Sequence, residues 1–450
     1  MSNLQIVDNV DDKKPYQLYV IDGGNPEDMA MMQALYSRSA QSVTTHIAKV
    51  QKSGSGKFME SFYVGYGHES IGDCGSTTIF IENVSILAAK AIQDWQLYSG
   101  QETSTRYIDM SKQSITDPIN TPESKEILDK WMQFYNDSQE PLKEYLKGKY
   151  PRGTNESVSV YNKAIAARAF DILRAFLPAG VNTQLAWHTN LRQAANKLGL
   201  LAYHPDPVIR EVGESILALL QKKYPHSFCH KKYPETETYR KNIIANHFYF
   251  TNNIGANDLH DEVCCQSDIV DLKEYQDIIS TRPAKTELPS FLADLGNVQF
   301  NFLLDYGSFR DLQRHRNGVC RMPLLTTQYG FHNWYLDQMP QDMRATANSL
   351  IRDQVVSINN NLHGTDIQKQ YYIPLGFRVA CQVTYGLPAA VYTIELRSGK
   401  TVHATLREVA LKMMHALQEK HPNLIFHCDT DPDEWDIRRG LQDITEKVQK

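Results

Sequence analysis

"VQFNFLLDYGSFRDLQRHRNG", residues 298–318, decides how the fold is read. It opens on a strand-like run of apolar residues. Phe309 and Leu312 then lie three apart, with Arg310, Asp311 and Arg314 on the other side, and a polar loop follows. Strand, helix and loop recur in the first half. There "ENVSILAAKAIQDWQLYSG", residues 82–100, sets Val84, Leu87 or Ala88, Ala91 or Ile92, and Trp95 at helical spacing. This spacing predicts a helix with one buried face. Two later segments, residues 173–201 and 369–397, line up without gaps and share Pro-x-Gly, at Pro178/Gly180 and Pro374/Gly376. Laying Trp95 on His315 puts Phe80 on Phe300, Lys90 on Arg310 and Gln93 on Gln313; laying Pro178 on Pro374 puts Leu201 on Arg397.

An ordered repeat of blocks predicts an internal duplication. We expect a first domain over residues 1–235, a connector over 236–288 and a second domain over 289–450. The connector contains the turn-rich pieces "NNIGAND" and "STRP". The charged tail "DPDEWDIRRGLQDITEKVQK" reads as a surface helix.

A chain of 450 residues exceeds one ordinary core, which also argues for more than one domain. Hydrophobic residues at 42% and charged residues at 22% are those of a globular protein, and the net charge of −5 argues against a general nucleic-acid or anionic-membrane surface. No apolar run approaches the ~20 residues of a membrane span, and the polar, acidic start does not read as a secretory signal. Seven scattered cysteines suit reduced thiols and a cytoplasmic location. His226, Cys229 and His230, with His260, Cys264 and Cys265, offer zinc-type ligands, but no paired CxxC is present, and no metal is expected.

Two polar blocks flank the first strand–helix unit. "GYGHES", residues 65–70, precedes it, and "SGQETSTRY", residues 99–107, follows. In the second block Glu102, Ser104 and Arg106 alternate, so an extended segment would aim all three to one side. A hydroxyl beside a guanidinium makes a sensible phosphate clasp, since Arg grips two oxygens and Ser donates a further bond.

These residues resemble the flavin-dependent thymidylate synthase family. Its signature is Arg-His-Arg, then Ser after seven residues and Arg two further on. A Gly-His-Glu-Thr/Ser block precedes it; an Asn-x-Arg-x-x-x-Asn segment and a late Arg/His element follow. Here the signature is divided. The first half holds His68, Glu69 and Ser70, then Ser104 and Arg106, then Arg174 four residues before Pro178, then Asn190, Arg192 and Asn196. Its Arg-His-Arg positions hold Asp94, Trp95 and Gln96. The second half holds Arg314, His315 and Arg316, and later Arg397 and His403, but has Leu324 and Thr326 where Ser and Arg should follow, and Gln370 in place of Arg174.

The resemblance implies an α/β fold of the α+β type: two tandem thymidylate-synthase-complementing-like domains, each a mainly antiparallel sheet packed with helices. It also implies reductive methylation of deoxyuridine monophosphate, with FAD as cofactor and NADPH and methylenetetrahydrofolate as co-substrates. Glu102, Ser104, Arg106, Arg174 and Arg397 would hold the nucleotide. His68, Ser70, Asn190, Arg192, Asn196, Arg314, His315 and Arg316 would hold the flavin, and Arg397, Arg314 and His315 would serve catalysis. Because the family assembles its sites from several subunits of a homotetramer, complementary retention implies one composite site per fused pair and a homodimer that recreates the tetramer. A sister flavoenzyme acting on another pyrimidine nucleotide and a flavin- or nucleotide-binding pseudoenzyme are the alternatives.

Overall fold

A computed structural model describes residues 5–7, 18–250 and 262–431. The expected tail helix, the "NNIGAND" turn and His260 fall outside these residues. The protein is mixed α/β. Contacts gather its described residues into two compact units that interleave along the chain. The first unit takes those within Met1–Ile81, Leu97–Gln101 and Leu185–Asn246; the second takes those within Glu82–Gln96, Glu102–Gln184 and His247–Lys450. These units cut across the division at residue 235.

The first unit begins with two helices, Pro26–Tyr36 and Val43–Ser53, capped by Asn25 and Ser42 side chains that accept from Glu27 and Thr44 N–H. Met31, Met32, Ile47 and Val50 form their shared core. Further along, Tyr63 meets the His230 ring edge-on at 5.2 Å.

The repeat is carried by segments of both units. Strand β1 (Ser76–Ser85) feeds helix α1 (Ile86–Gln93), and strand β2 (Ser99–Glu102) follows. After helix α2 (Val158–Leu173) comes strand β3 (Asn182–Asn190), which lies between β1 and β2 and feeds helix α3 (Leu191–Leu201). The later sheet begins with strand β4 (Cys264–Ser267). Strand β5 (Asn297–Asp305) then feeds helix α4 (Tyr306–Leu312), strand β6 (Gly318–Cys320) follows, and strand β7 (Arg378–Gly386) feeds helix α5 (Leu387–Arg397). Its order is β4-β5-β7-β6, antiparallel throughout, with Phe300 opposite Val383 and Phe302 opposite Cys381. Apart from β4, the two sheets share one order.

Hydrogen bonds repeat the correspondence atom for atom. Ile86 N–H donates to Val181 O at 3.0 Å, and Tyr306 N–H donates to Phe377 O at 2.9 Å. Thr116 N–H donates to Gly180 O at 2.8 Å and His332 N–H to Gly376 O at 2.9 Å. The two Pro-x-Gly segments also pair with each other: Ala179 N–H reaches Ile373 O at 3.0 Å while Leu375 N–H reaches Leu177 O at 2.9 Å. Gly180 and Gly376 are required there, because a Cβ on the first would stand 2.8 Å from Tyr371 O and on the second 2.8 Å from the Ala175 Cβ.

Three expectations need correction. Helix α1 is buried on every side, not on one face, and it ends at Gln93, so Trp95 lies beyond it. Its eight residues pack inside the unit, where no polar face is needed. The segment 99–107 is extended only as far as Glu102; residues 105–107 form a turn, with Ile108 N–H donating to Ser104 O at 3.3 Å. The overlay of Phe80 on Phe300 is not matched in burial, since Phe80 is 76% exposed and Phe300 1% exposed. Three residues after Phe80, β1 carries Asn83 in the left-handed region at φ 57°. Among the described residues no helix is long and apolar enough to cross a membrane, and no group of three His, Cys, Asp or Glu side chains is placed to hold a metal ion.

Candidate active site

The stretch 310–316 straddles the end of helix α4. Asp305 caps the start of that helix, accepting from Ser308 N–H at 2.8 Å, and the helix ends in a turn at Gln313 and Arg314. Around this end the second unit forms a small recess lined by Thr103 to Arg106, Arg174, Gly307, Arg310, Asp311 and Arg314. Residues from both halves of the sequence therefore share one recess.

Arg106 sits on the turn after β2. Its Nε and Nη2 donate to the two carboxylate oxygens of Asp171, at 2.6 and 3.0 Å, and both terminal nitrogens reach Thr401 O at 3.3 Å. Ser104 is in place beside it, its Oγ accepting from Arg106 N–H at 3.2 Å. The guanidinium is thus oriented by helix α2, which carries Asp171, and not by strand alternation.

Arg174 is buried one residue past α2. Its Nη2 donates to Ser308 Oγ at 2.9 Å, with Asp305 and Asp311 each at 3.8 Å. Asp305 is already satisfied by Ser308 N–H, by Tyr335 O–H at 2.8 Å and by Thr405 O–H at 2.5 Å.

Glu102 turns away from Ser104. It is paired with Arg310 and accepts from Gln93 Nε2 at 2.9 Å. Lys90 completes this buried group, donating to Gln93 Oε1 and to Arg310 O, each at 3.2 Å. Burial pushes Lys90 down to about 8, against the pull of Glu102. Burial alone would raise Glu102, but Arg310 and Lys90 hold it below the usual carboxylate range. Sequence reading aligned Lys90 with Arg310; the structure makes them neighbours.

Asp311 is the residue that sequence reading passed over. Burial opposes its charge, yet Arg314, Arg174, Arg106 and Arg397 surround it and hold it well below the usual carboxylate range. A carboxylate three residues before the first Arg of an Arg-His-Arg was visible in the sequence, but its partners Arg106, Arg174 and Arg397 are far from it in the chain. His315 accepts from Arg397 Nε at 2.6 Å, and Arg397 Nη2 donates to Asp311 O at 2.7 Å. Burial and then the Arg397 charge push His315 down to about 3, so the ring is neutral and an acceptor at neutral pH. His403 is buried: its Nδ1 lies 2.9 Å from Thr405 Oγ1 and its Nε2 3.2 Å from Asp171 O. Arg316 follows His315, half-buried.

The remaining expected residues belong to the first unit. His68 and Ser70 are exposed, Asn196 is half-buried, and Asn190 caps α3 by accepting from Gln193 N–H at 2.8 Å. Arg192 is committed to Asp73, at 2.6 and 2.8 Å, with Glu69 at 3.8 Å.

Residues 20–226 match the family described as thymidylate synthase complementing protein. A UPF0159 protein of Chlamydia pneumoniae is 24% identical over 452 residues, covering 88% of this chain and 84% of its own. A UPF0159 protein of Thermoplasma acidophilum is 22% identical over 478 residues, covering 88% and 94%. A flavin-dependent thymidylate synthase of Pyrococcus abyssi is 27% identical over 165 residues, covering 36% of this chain and 60% of its own.

Proposed function

We propose, from the match of residues 20–226 to the family described as thymidylate synthase complementing protein, that this chain is an FAD-dependent thymidylate synthase. In this reading it converts deoxyuridine monophosphate to thymidine monophosphate in the cytoplasm, with methylenetetrahydrofolate and NADPH as co-substrates. One observation carries the proposal: Arg106 and Arg174 from the first half converge with Arg310 and Arg314 from the second on a single small recess beside Ser104. Guanidiniums fixed in advance by buried carboxylates bind phosphate without reorganising, because their rotamers are already paid for in the fold.

The donor chemistry fits a flavin nucleotide. Arg314 is 43% exposed at the recess mouth, and Arg316 follows. In the first unit the side chains of Ser70 and Asn196 make no hydrogen bond to another described residue. Arg192 contributes orientation more than charge, since Asp73 neutralises it. When bound, the flavin supplies the reducing equivalents. The chain's own residues bind and orient. Ser104, Arg106 and Arg174 hold the nucleotide phosphate. Neutral His315 steers Arg397 by accepting its Nε–H, which leaves that cation to balance charge developing on the pyrimidine.

The test is anaerobic incubation of purified protein with deoxyuridine monophosphate, FAD, NADPH and methylenetetrahydrofolate, with products read by mass spectrometry. Protein-dependent thymidine monophosphate is the expected result; recovery of starting nucleotide alone from flavin-loaded protein counts against it. The composite site adds a control. Gln96 and Thr326 occupy signature positions in the wrong halves. Among the described residues the Gln96 side chain reaches Gly318 O at 3.3 Å and Thr326 Oγ1 accepts from Gln328 N–H at 3.3 Å, neither of them in the recess. Gln96→Ala and Thr326→Ala are therefore expected to leave turnover within about twofold of wild type.

A second reading has its own observation. Arg106 and Arg310 are each matched by a buried carboxylate, as in a purely structural network. A nucleotide-binding protein without turnover would show saturable nucleotide binding and no product in the same assay. Pairing of two chains to recreate a tetramer-like core is part of the proposal, and sedimentation equilibrium at the mass of two chains is its expected readout.

A further inference from the structure

Helix α4 ends at Gln313 without a glycine cap, and the end of a helix leaves carbonyls that need donors from elsewhere. Phe309 O and Leu312 O are met by the N–H groups of Gln313 and His315, at 2.9 and 3.0 Å. The two carbonyls between them are met by side-chain cations. Arg397 Nη2 donates to Asp311 O at 2.7 Å, and Lys90 Nζ donates to Arg310 O at 3.2 Å. Cations suit that end of a helix, where the peptide dipoles gather negative charge. Lys90 comes from helix α1, in the other half of the sequence, and is 1% exposed. Its hydrogen bonds to described residues end on neutral oxygens, the second on Gln93 Oε1 at 3.2 Å. A buried ammonium bonded in this way adds little to the fold that an apolar chain of similar length would not. What it supports stands at the recess. Arg310 and Arg314 line it, and the buried Arg310 Nε has no hydrogen-bond partner among the described residues.

We propose that Lys90 is a positioning residue for the Arg-His-Arg turn: it holds the end of α4 so that Arg310 and Arg314 meet a phosphate already in place. The inference rests on the phosphate-binding reading of this recess. Lys90 is not among the residues lining the recess, so it acts through the Arg310 carbonyl and not by touching the ligand. Precise placement matters because a shift of about 1 Å in an oriented group lowers its effect by about 100-fold. A purely electrostatic role for Lys90 is separable by pH. The charged groups around it are Glu102, Arg310, Arg314 and Asp311, with the Cys320 thiol also near. Neighbouring cations hold Glu102 and Asp311 below the usual carboxylate range, burial pushes Cys320 up, and guanidiniums keep their protons. Of these groups Lys90, pushed down to about 8 by burial, is the one that changes charge between pH 7 and 9.5. Above that value its neutral amine still donates an N–H to Arg310 O but brings no charge.

The test is calorimetric titration of the full chain with methyl phosphate at pH 7 and pH 9.5, for wild type and Lys90→Met. The variant is expected to keep the wild-type urea midpoint or exceed it, yet to bind at least about fivefold more weakly at both pH values. Wild type is expected to lose less than about threefold in affinity between the two, since the hydrogen bond to Arg310 O outlasts the charge. A smaller gap between the proteins at either pH overturns the proposal, and so does a larger loss in wild type alone. A variant that does not fold makes Lys90 a residue of the fold and overturns it as well. If wild type does not bind methyl phosphate at either pH, both this inference and the phosphate reading fall. If the affinities are as expected but no thymidine monophosphate forms, only the catalytic reading falls.

Discussion

Arg106→Ala is expected to abolish turnover, by at least about 1,000-fold, and to lower stability by about 3–5 kcal/mol. Both effects follow from the pair with Asp171, whose side chain is 1% exposed. Removing the guanidinium takes two charge-assisted bonds from a carboxylate that stays buried, and such broken pairs are costly because the remaining charge is uncompensated. The same change removes the Arg that stands next to Ser104 in the recess. Urea denaturation followed by circular dichroism reads the first effect, and product formation under conditions where the variant is folded reads the second. Arg106→Lys separates them: it keeps the charge but not the planar fork, so it should recover most of the stability and little of the turnover. Full activity in a folded Arg106→Ala protein would remove Arg106 from the site.

The second large effect belongs to Glu102. Glu102→Gln leaves the buried cations Arg310 and Lys90 facing a neutral amide, with an expected loss of about 3–5 kcal/mol at pH 7. The pH dependence identifies the cause. The Glu102–Lys90 attraction exists only while the acid is deprotonated and the amine protonated. Glu102 is held below its ordinary value, so its contribution is complete above the unfolded carboxylate range and is lost as pH falls through the folded value. Lys90 in the wild type loses its proton near pH 8, so the attraction also fades above that pH. The deficit of the variant relative to wild type should therefore be widest between the carboxylate range and about pH 8, and should narrow on both sides. The Arg310 part persists at high pH, since a guanidinium does not titrate there. Denaturation midpoints at pH 4, 7 and 9.5 give the curve. A deficit that stays flat across that span would mean that Lys90 is not coupled to Glu102.

Both predictions turn on partners that sequence order conceals. Arg106 and Glu102 were legible as site residues, because Glu-x-Ser-x-Arg beside a His-Glu-Ser block is a pattern of residue types in one stretch. Their environments were not. Alternation along an extended segment would have aimed Glu102, Ser104 and Arg106 together. The chain instead turns after Glu102, sending the carboxylate inward to Arg310 and Gln93 and leaving Ser104 and Arg106 at the recess. Local periodicity cannot announce such a turn, because no glycine or proline marks it.

The sequence by itself determined the strand–helix order of both repeats, since apolar spacing changes from an unbroken strand-like run to a period of three or four at β5 and α4. It also determined the glycine and proline positions that pair the two halves, and the residue types that point to phosphate and to the family. Only the tertiary structure decided the charge balance. Arg106 meets Asp171 across 65 positions, Arg310 meets Glu102 across 208, and Arg397 meets His315 across 82. Pairing over such distances is fixed by how strands and helices pack, because burial makes each charge seek whichever opposite group the fold brings near. It leaves no trace in spacing, and so Asp311, an ordinary helix residue in the sequence, becomes the one carboxylate lining the recess among the described residues.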